Sequence, residues 1–384
     1  MTSHSISRRN LLCGAATTAL ASCRKHPPAS ILDTDQAPDV IDAFVAEQMA
    51  RYRIPGLSLS IVSKGELSSA RSYGLNDLEF GVKATNQTVY QIASVTKILT
   101  SVAVMMLAED NKLSPDARVT ELLPEVPQSW SNIQVHHLLS HTSGLPSNAK
   151  SNPRYLAEER LRRERERFID AEKLDYFTAA EQLSYLRELP LQFAAGTKFS
   201  YNQPGYMLLG MIVEHISGEP FPAFVRCRLF SPLAMSSAQF GDSRVVIPNR
   251  RQVAYTRQYG PLQNWLWPYS TTDYPAAGLN IAAVDMAKLF IALTAGKLLR
   301  ESTLERMWTP TQLESGKTVK YAQGWTVGEV VGRKTVGHEG GGCAWVSHLP
   351  AMGLTVIVFS NLSGSGADLG DALAARLIEA GWIS

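Results

Sequence analysis

Three short stretches carry residues that together could break an acyl bond. Ser94-Val-Thr-Lys97 offers a hydroxyl and an amine three residues apart, so on a helix the amine can reach the hydroxyl. Tyr201-Asn202-Gln203 offers a phenol and two amides. His338-Glu339-Gly340-Gly341 offers an imidazole, then glycines that keep a strand edge open. The chemistry would be attack by Ser94 on a carbonyl, formation of an acyl-enzyme, and its release by water. Backbone N–H groups unpaired at a helix start can receive an oxyanion, and that of Gly341 can join that of Ser94.

Ser-x-x-Lys is a poor signal alone. The chain also has Ser22 with Lys25 and Ser147 with Lys150. The first sits at the end of an apolar leader, and the third precedes a charged loop containing Pro153. Only Ser94 opens an apolar helical run, Ile92 to Met106. Lys97 would be desolvated there, which lowers a lysine toward a useful base. The plainer alternative, Ser94 as a helix cap and Lys97 on the surface, would break that apolar face.

The elements around these stretches read as follows. Val40, Ile41, Phe44, Val45 and Met49 predict an amphipathic helix beginning at Pro38. Leu57, Leu59 and Ile61 alternate with small polar residues, a half-buried strand, and Lys64-Gly65 turns it into a hairpin. Late in the chain, residues 324–331, 335–338, 343–349 and 354–359 read as strands, and 368–380 as a closing helix. One antiparallel sheet built from both termini follows. Between them lie helical patterns at 92–108, 135–139 and 206–216. The run Glu158–Arg167 has Glu and Arg four apart, a solvated helix rather than a lid. Trp265, Trp267, Tyr269 and Tyr274 could be core or a wall for an acyl group.

The bulk numbers set bounds. At 384 residues, with 45% hydrophobic and 19% charged, the chain can bury a sizeable core with an added subdomain. A net charge of +2, with no basic stripe interleaved with aromatics, disfavours nucleic acid as partner. His137 and His141 lie four apart with His136 beside them, but no HExxH or nearby cysteine accompanies them. No metal and no cofactor are expected, and His141 reads as structural.

The N-terminus resembles an export signal. Arg8-Arg9 precedes an apolar run from Leu11 to Ala21, too short to span a bilayer. The run ends Leu20-Ala21-Ser22-Cys23, which resembles a bacterial lipoprotein box. Residues 1–22 would be removed, Cys23 lipidated, 24–36 left as part of a linker starting at 23, and 37–384 folded as one domain. The expected location is periplasmic and membrane-anchored. A chain folded before export meets a reducing compartment, so the fold should not depend on a bridge between Cys227 and Cys343.

The three stretches, with Leu138-Leu-Ser-His-Thr-Ser-Gly-Leu145, Ala195-Gly-Thr-Lys-Phe-Ser-Tyr201, Gly205-Tyr-Met-Leu-Leu-Gly210 and Ala277-Gly-Leu279, resemble the serine β-lactamase-like family. That family holds class C β-lactamases, penicillin-binding DD-peptidases, D-amino-acid peptidases and esterases. The resemblance implies an α+β fold: an antiparallel sheet flanked by helices, with an inserted, mostly helical subdomain at roughly 92–275. It implies Ser94 as the acylated nucleophile, Lys97 as its base and Tyr201 as partner in proton transfer. A phenol near its ordinary value of ~10 helps as a base only beside a cation, here Lys97, and the two would titrate together. Gln203, His338, Gly340 and Gly341 match positions that bind substrate or oxyanion.

Two departures shape the expected substrate. The family's Tyr-x-Asn is here Tyr201-Asn202-Gln203, and its Lys-Thr-Gly is here His338-Glu339-Gly340. A histidine is only partly charged at neutral pH. It therefore holds a penicillin-like carboxylate less well than lysine. An exported esterase or peptidase acting on a small molecule or peptide is expected ahead of an efficient β-lactamase. The alternative is a penicillin-recognising or structural binding protein with little turnover.

Overall fold

In the computed structural model, residues 39–147, 153, 156, 157, 178–241, 252–265 and 271–382 are described, and the first element is helix α1, Val40–Tyr52. Asp39 caps it, its carboxylate accepting from the N–H groups of Ile41 and Asp42. Strands β1, Gly56–Ser63, and β2, Glu66–Asp77, form the expected hairpin. Lys64 and Gly65 turn it with φ of 54° and 78°, the left-handed pair that matches strand twist. The short β3, Val82–Lys83, follows.

The chain then becomes mostly helical: α2, Thr96–Glu109; α3, Val135–Leu139; α4, Pro204–Ser217; and α5, Ala283–Thr294. Short strands also occur here, a feature the periodicity did not show. Tyr90–Gln91 pairs with Leu279–Ile281, tying the start of this region to its end.

The sheet is completed by β4, Thr326–Val330; β5, Arg333–Gly340; β6, Ala344–Leu349; and β7, Leu354–Ser360. Its order is β3-β2-β1-β7-β6-β5-β4, antiparallel throughout, so strands from both ends of the sequence meet at β1 and β7. Helix α6, Leu369–Glu379, closes the chain. Strand periodicity sorts the two faces. Leu354, Val356 and Val358 of β7 join the core beneath α1 and α6, while Ile357 and Phe359 join the one containing α2 and α5. This is the expected α+β architecture. Residues from Asp39 onward form one compact unit.

One expectation needs correction. β1 is buried on both faces, not half-buried. It lies centrally between β2 and β7, and α5 packs across it. Ser58 and Ser60 are 1% and 0% exposed, and Ser58 Oγ hydrogen-bonds Tyr90 Oη at 2.9 Å. Small polar side chains here make room for a helix rather than mark a wet face.

The leader with Cys23, the 24–36 stretch, Glu158–Arg167, Trp267 and Tyr269 lie outside the described residues. Cys227 and Cys343 are free thiols, one exposed and one buried. Among the described residues no helix is long and apolar enough to cross a membrane.

Candidate active site

Ser94 does not open α2 directly. It sits in a 3-10 turn, Ala93–Val95, that leads into the helix. Ala93 takes a φ of 44°, left-handed backbone that a non-glycine residue adopts only when its surroundings impose it. The surroundings are visible: Ile92 N–H donates to Leu279 O, and Val95 N–H to Ile92 O. The turn presents Ser94 while α2 behind it is buried from Thr96 to Leu107.

Lys97 is 0% exposed. Its Nζ lies 3.2 Å from Ser94 Oγ and donates to Ala276 O at 2.9 Å. It also stands 4.8 Å from the centre of the Tyr201 ring and 5.2 Å from that of Tyr206. Burial lowers its pKa to about 7, against an opposing pull from Asp273. A neutral amine keeps one lone pair. With Ala276 O taking an N–H, that lone pair can face the Ser94 hydroxyl.

Tyr201 Oη donates to Ser94 Oγ at 2.9 Å. Although 41% of this residue is exposed, burial around its phenol raises its pKa well above the ordinary value, with Glu339 adding to the rise and Ser94 opposing it. This corrects one expectation: the lysine does not draw the phenol down toward a base. The geometry suits a neutral amine as acceptor and a phenol as donor instead.

The loop bearing Tyr201 is held by His141. Ser200 N–H donates to His141 O at 2.9 Å, and Asn202 N–H to His141 Nδ1 at 3.3 Å, bracketing the tyrosine on both sides. The His141 ring packs 4.2 Å from that of Tyr201. Burial, with Lys97 and His338 nearby, holds its pKa well below the ordinary range, so it stays neutral. Among the described residues no cluster of His, Cys, Asp or Glu could hold a metal ion.

The two amides after Tyr201 differ in use. Asn202 Oδ1 accepts from Gly205 N–H at 3.0 Å, in the first turn of α4, and its Nδ2 donates to Leu145 O at 3.5 Å. Asn202 turns inward as a structural residue. Gln203 starts α4 with no such bond, and its Oε1 is buried without a hydrogen-bond partner.

His338 is 6% exposed, and both ring nitrogens have protein partners. Nδ1 lies 2.6 Å from Glu339 O and Nε2 3.0 Å from Tyr321 Oη. A carbonyl only accepts, so Nδ1 carries the proton and Nε2 accepts from Tyr321. Burial lowers the ring to about 3, helped by Lys97 and resisted by the Glu339 carbonyl. The expectation of a partly charged histidine is therefore corrected to a neutral one. Tyr321 was missed in the sequence, where it is one tyrosine in irregular chain before Gly324-Trp325.

Gly340 lets β5 approach the nucleophile. A Cβ there would stand 2.1 Å from Ile92 O and 3.2 Å from Ser94 N. Gly341 follows with a φ of 57°. Structure thus brings Ser94, Lys97, Tyr201, His338 and Gly340 together. Of the aromatic cluster, Trp265 packs on Tyr259 and Tyr274 on Phe240.

A beta-lactamase family model matches residues 41–380. Esterase EstB of Burkholderia gladioli is 30% identical over 236 residues, 60% of this chain and 57% of that protein. Protein flp of Staphylococcus aureus (strain COL) is 26% identical over 211 residues, 54% of this chain and 39% of that protein. Each match thus spans less than two thirds of the relative's own length. An octameric penicillin-binding protein homologue from Pyrococcus abyssi superposes with a TM-score of 0.73 and 25% identity, covering 90% of this chain and 78% of that one. The D-amino acid amidase of Ochrobactrum anthropi SV3 shares the fold, with a TM-score of 0.72, 23% identity and coverage of 89% and 97%. The chain belongs to the beta-lactamase family.

Proposed function

We propose that this chain is a serine hydrolase that forms an acyl-enzyme on Ser94. The observation that carries the reading is the buried Lys97 amine, 3.2 Å from Ser94 Oγ, with a pKa near 7. In the resting site Tyr201 donates to Ser94 Oγ. As Oγ bonds to the substrate carbonyl carbon, its proton passes to Lys97 Nζ. The N–H groups of Ser94 and Gly341 receive the oxyanion. The leaving group then departs with a proton delivered by the Lys97 ammonium and the Tyr201 phenol. Water repeats the sequence to release the acid.

An ester or amide is favoured over a β-lactam as substrate. His338 is neutral with both nitrogens spent, so it supplies no cation for a penicillin-type carboxylate. An esterase and an amidase among the similar proteins support that preference. Export and lipid anchoring through Cys23 remain part of this proposal on the strength of Arg8-Arg9 and the Leu20–Cys23 box.

The test compares a short-chain nitrophenyl ester with a chromogenic cephalosporin, using Ser94→Ala as control. Ester turnover should exceed cephalosporin turnover and vanish in the variant. Equal ester turnover in Ser94→Ala would remove Ser94 from the mechanism.

A further inference from the structure

β5 pairs with β4 only from Arg333 to Gly337. Its last residues, His338–Gly340, keep β6 on one side and have no strand on the other among the described residues. That open edge runs past the nucleophile, where Gly340 lies against Ile92 O and Ser94 N. Glu339 is the exposed residue of this segment. One of its carboxylate oxygens receives the Gly342 N–H. The other has no hydrogen bond or ion pair among the described residues.

The charges around it are unbalanced. Lys97 is buried and spent on Ser94 Oγ and Ala276 O. His338 is spent on Glu339 O and Tyr321. Arg257 follows Thr256, which pairs with Ser363 near the Gly341 turn, and it makes no ion pair with Glu339. The Glu339 charge is felt at the Tyr201 hydroxyl, which touches Ser94 Oγ at 2.9 Å. A substrate carboxylate arriving at this edge meets a carboxylate, and an ammonium meets a free acceptor.

We propose that Glu339 selects substrates carrying an ammonium group close to the scissile carbonyl, such as amino-acid esters and amides, and disfavours those carrying a carboxylate there. This rests on the hydrolase reading above and adds a charge preference to it. The carboxylate forms no covalent bond and moves no proton. It holds the ammonium and so favours one orientation of the carbonyl at Ser94.

The experiment compares kcat/KM for three p-nitroanilides in both enantiomers: alanine, N-acetylalanine and N-succinylalanine. They place an ammonium on the α-nitrogen, a neutral amide there, and a carboxylate four bonds farther out on the same substituent. The free amine should be preferred to the acetyl compound by about two- to fivefold, the scale of a partly exposed ion pair. Glu339→Gln should shrink that ratio toward one, and Glu339→Lys should move the preference to the succinyl compound. Thermal unfolding checks that each variant is folded. An unchanged ratio in folded Glu339→Gln, or no preference in the wild type, overturns the proposal. If Ser94→Ala hydrolyses all three as well as the wild type does, the hydrolase reading falls first and this one with it.

Discussion

Lys97 Nζ lies 3.2 Å from Ser94 Oγ, and no part of Lys97 reaches solvent. Distance and burial act on one proton. Burial makes the amine a base near neutral pH, and the distance lets it use that basicity on the hydroxyl.

The first prediction concerns rate. Lys97 is a base only when neutral, so kcat/KM should climb through pH 7 and level above it. His338, lowered to about 3, and His141, held by burial well below its ordinary range, contribute no limb near pH 6.5. Tyr201 is raised, so no fall is expected below about pH 10 from the phenol. Lys97→Arg should be inactive across the range because a guanidinium stays charged. A pH–rate profile on a neutral ester reads this; a flat line between pH 6 and 8 would remove Lys97 as the base.

Stability carries the same pKa with its own sign. The folded value is depressed from 10.5 to about 7. Between those values the unfolded chain holds the proton and the folded chain does not, so stability rises with pH across that window. The penalty is full below pH 7 and fades toward pH 10.5. Lys97→Met should therefore abolish activity yet raise Tm, by more at pH 6 than at pH 9. The lost bond to Ala276 O offsets about 1 kcal/mol of the gain. Thermal melts at the two pH values decide it; an equal Tm difference at both would contradict a buried, neutralised lysine.

Tyr201→Phe removes the phenol beside Ser94 and leaves the ring against His141. Loss of a positioned proton donor costs about 10²–10⁴-fold. The loss should be large for an alkyl ester or an amide, whose leaving group needs the proton. It should be small for a nitrophenyl ester, whose leaving group departs as an anion. Parallel kcat/KM measurements test this, and equal losses on both substrates would remove Tyr201 as the donor.

Gly340→Ala places a Cβ 2.1 Å from Ile92 O, inside any permitted contact. Backbone must move, and what moves is the spacing between β5 and the Ser94 turn. Turnover should drop at least about 100-fold, the scale set by losing one oxyanion donor. Far-UV circular dichroism should keep its mixed character, since β5 still pairs with β6, Val336 with His348 and Gly337 with Ser347. Near-wild-type turnover would show that the strand does not form a wall of the site.

Much of this protein is written locally. α1, the β1–β2 hairpin and α6 follow from apolar spacing, a capping aspartate at each helix start and a two-residue turn, all short-range effects. Ser94 and Lys97 were recognisable for the same reason: three residues on a helix bring their side chains together wherever that helix lies. Tertiary structure decided what those residues are. Ser58 and Ser60 are buried because β1 takes a central place between two other strands. His338 is neutral because the core closes over it, with Lys97 nearby, and Tyr321, seventeen residues earlier, donates to its free nitrogen. Lys97 is a base because Pro275–Ala277, far along the chain, folds over it. Charge state depends on which distant atoms exclude water, and that is set by packing rather than by neighbours in sequence.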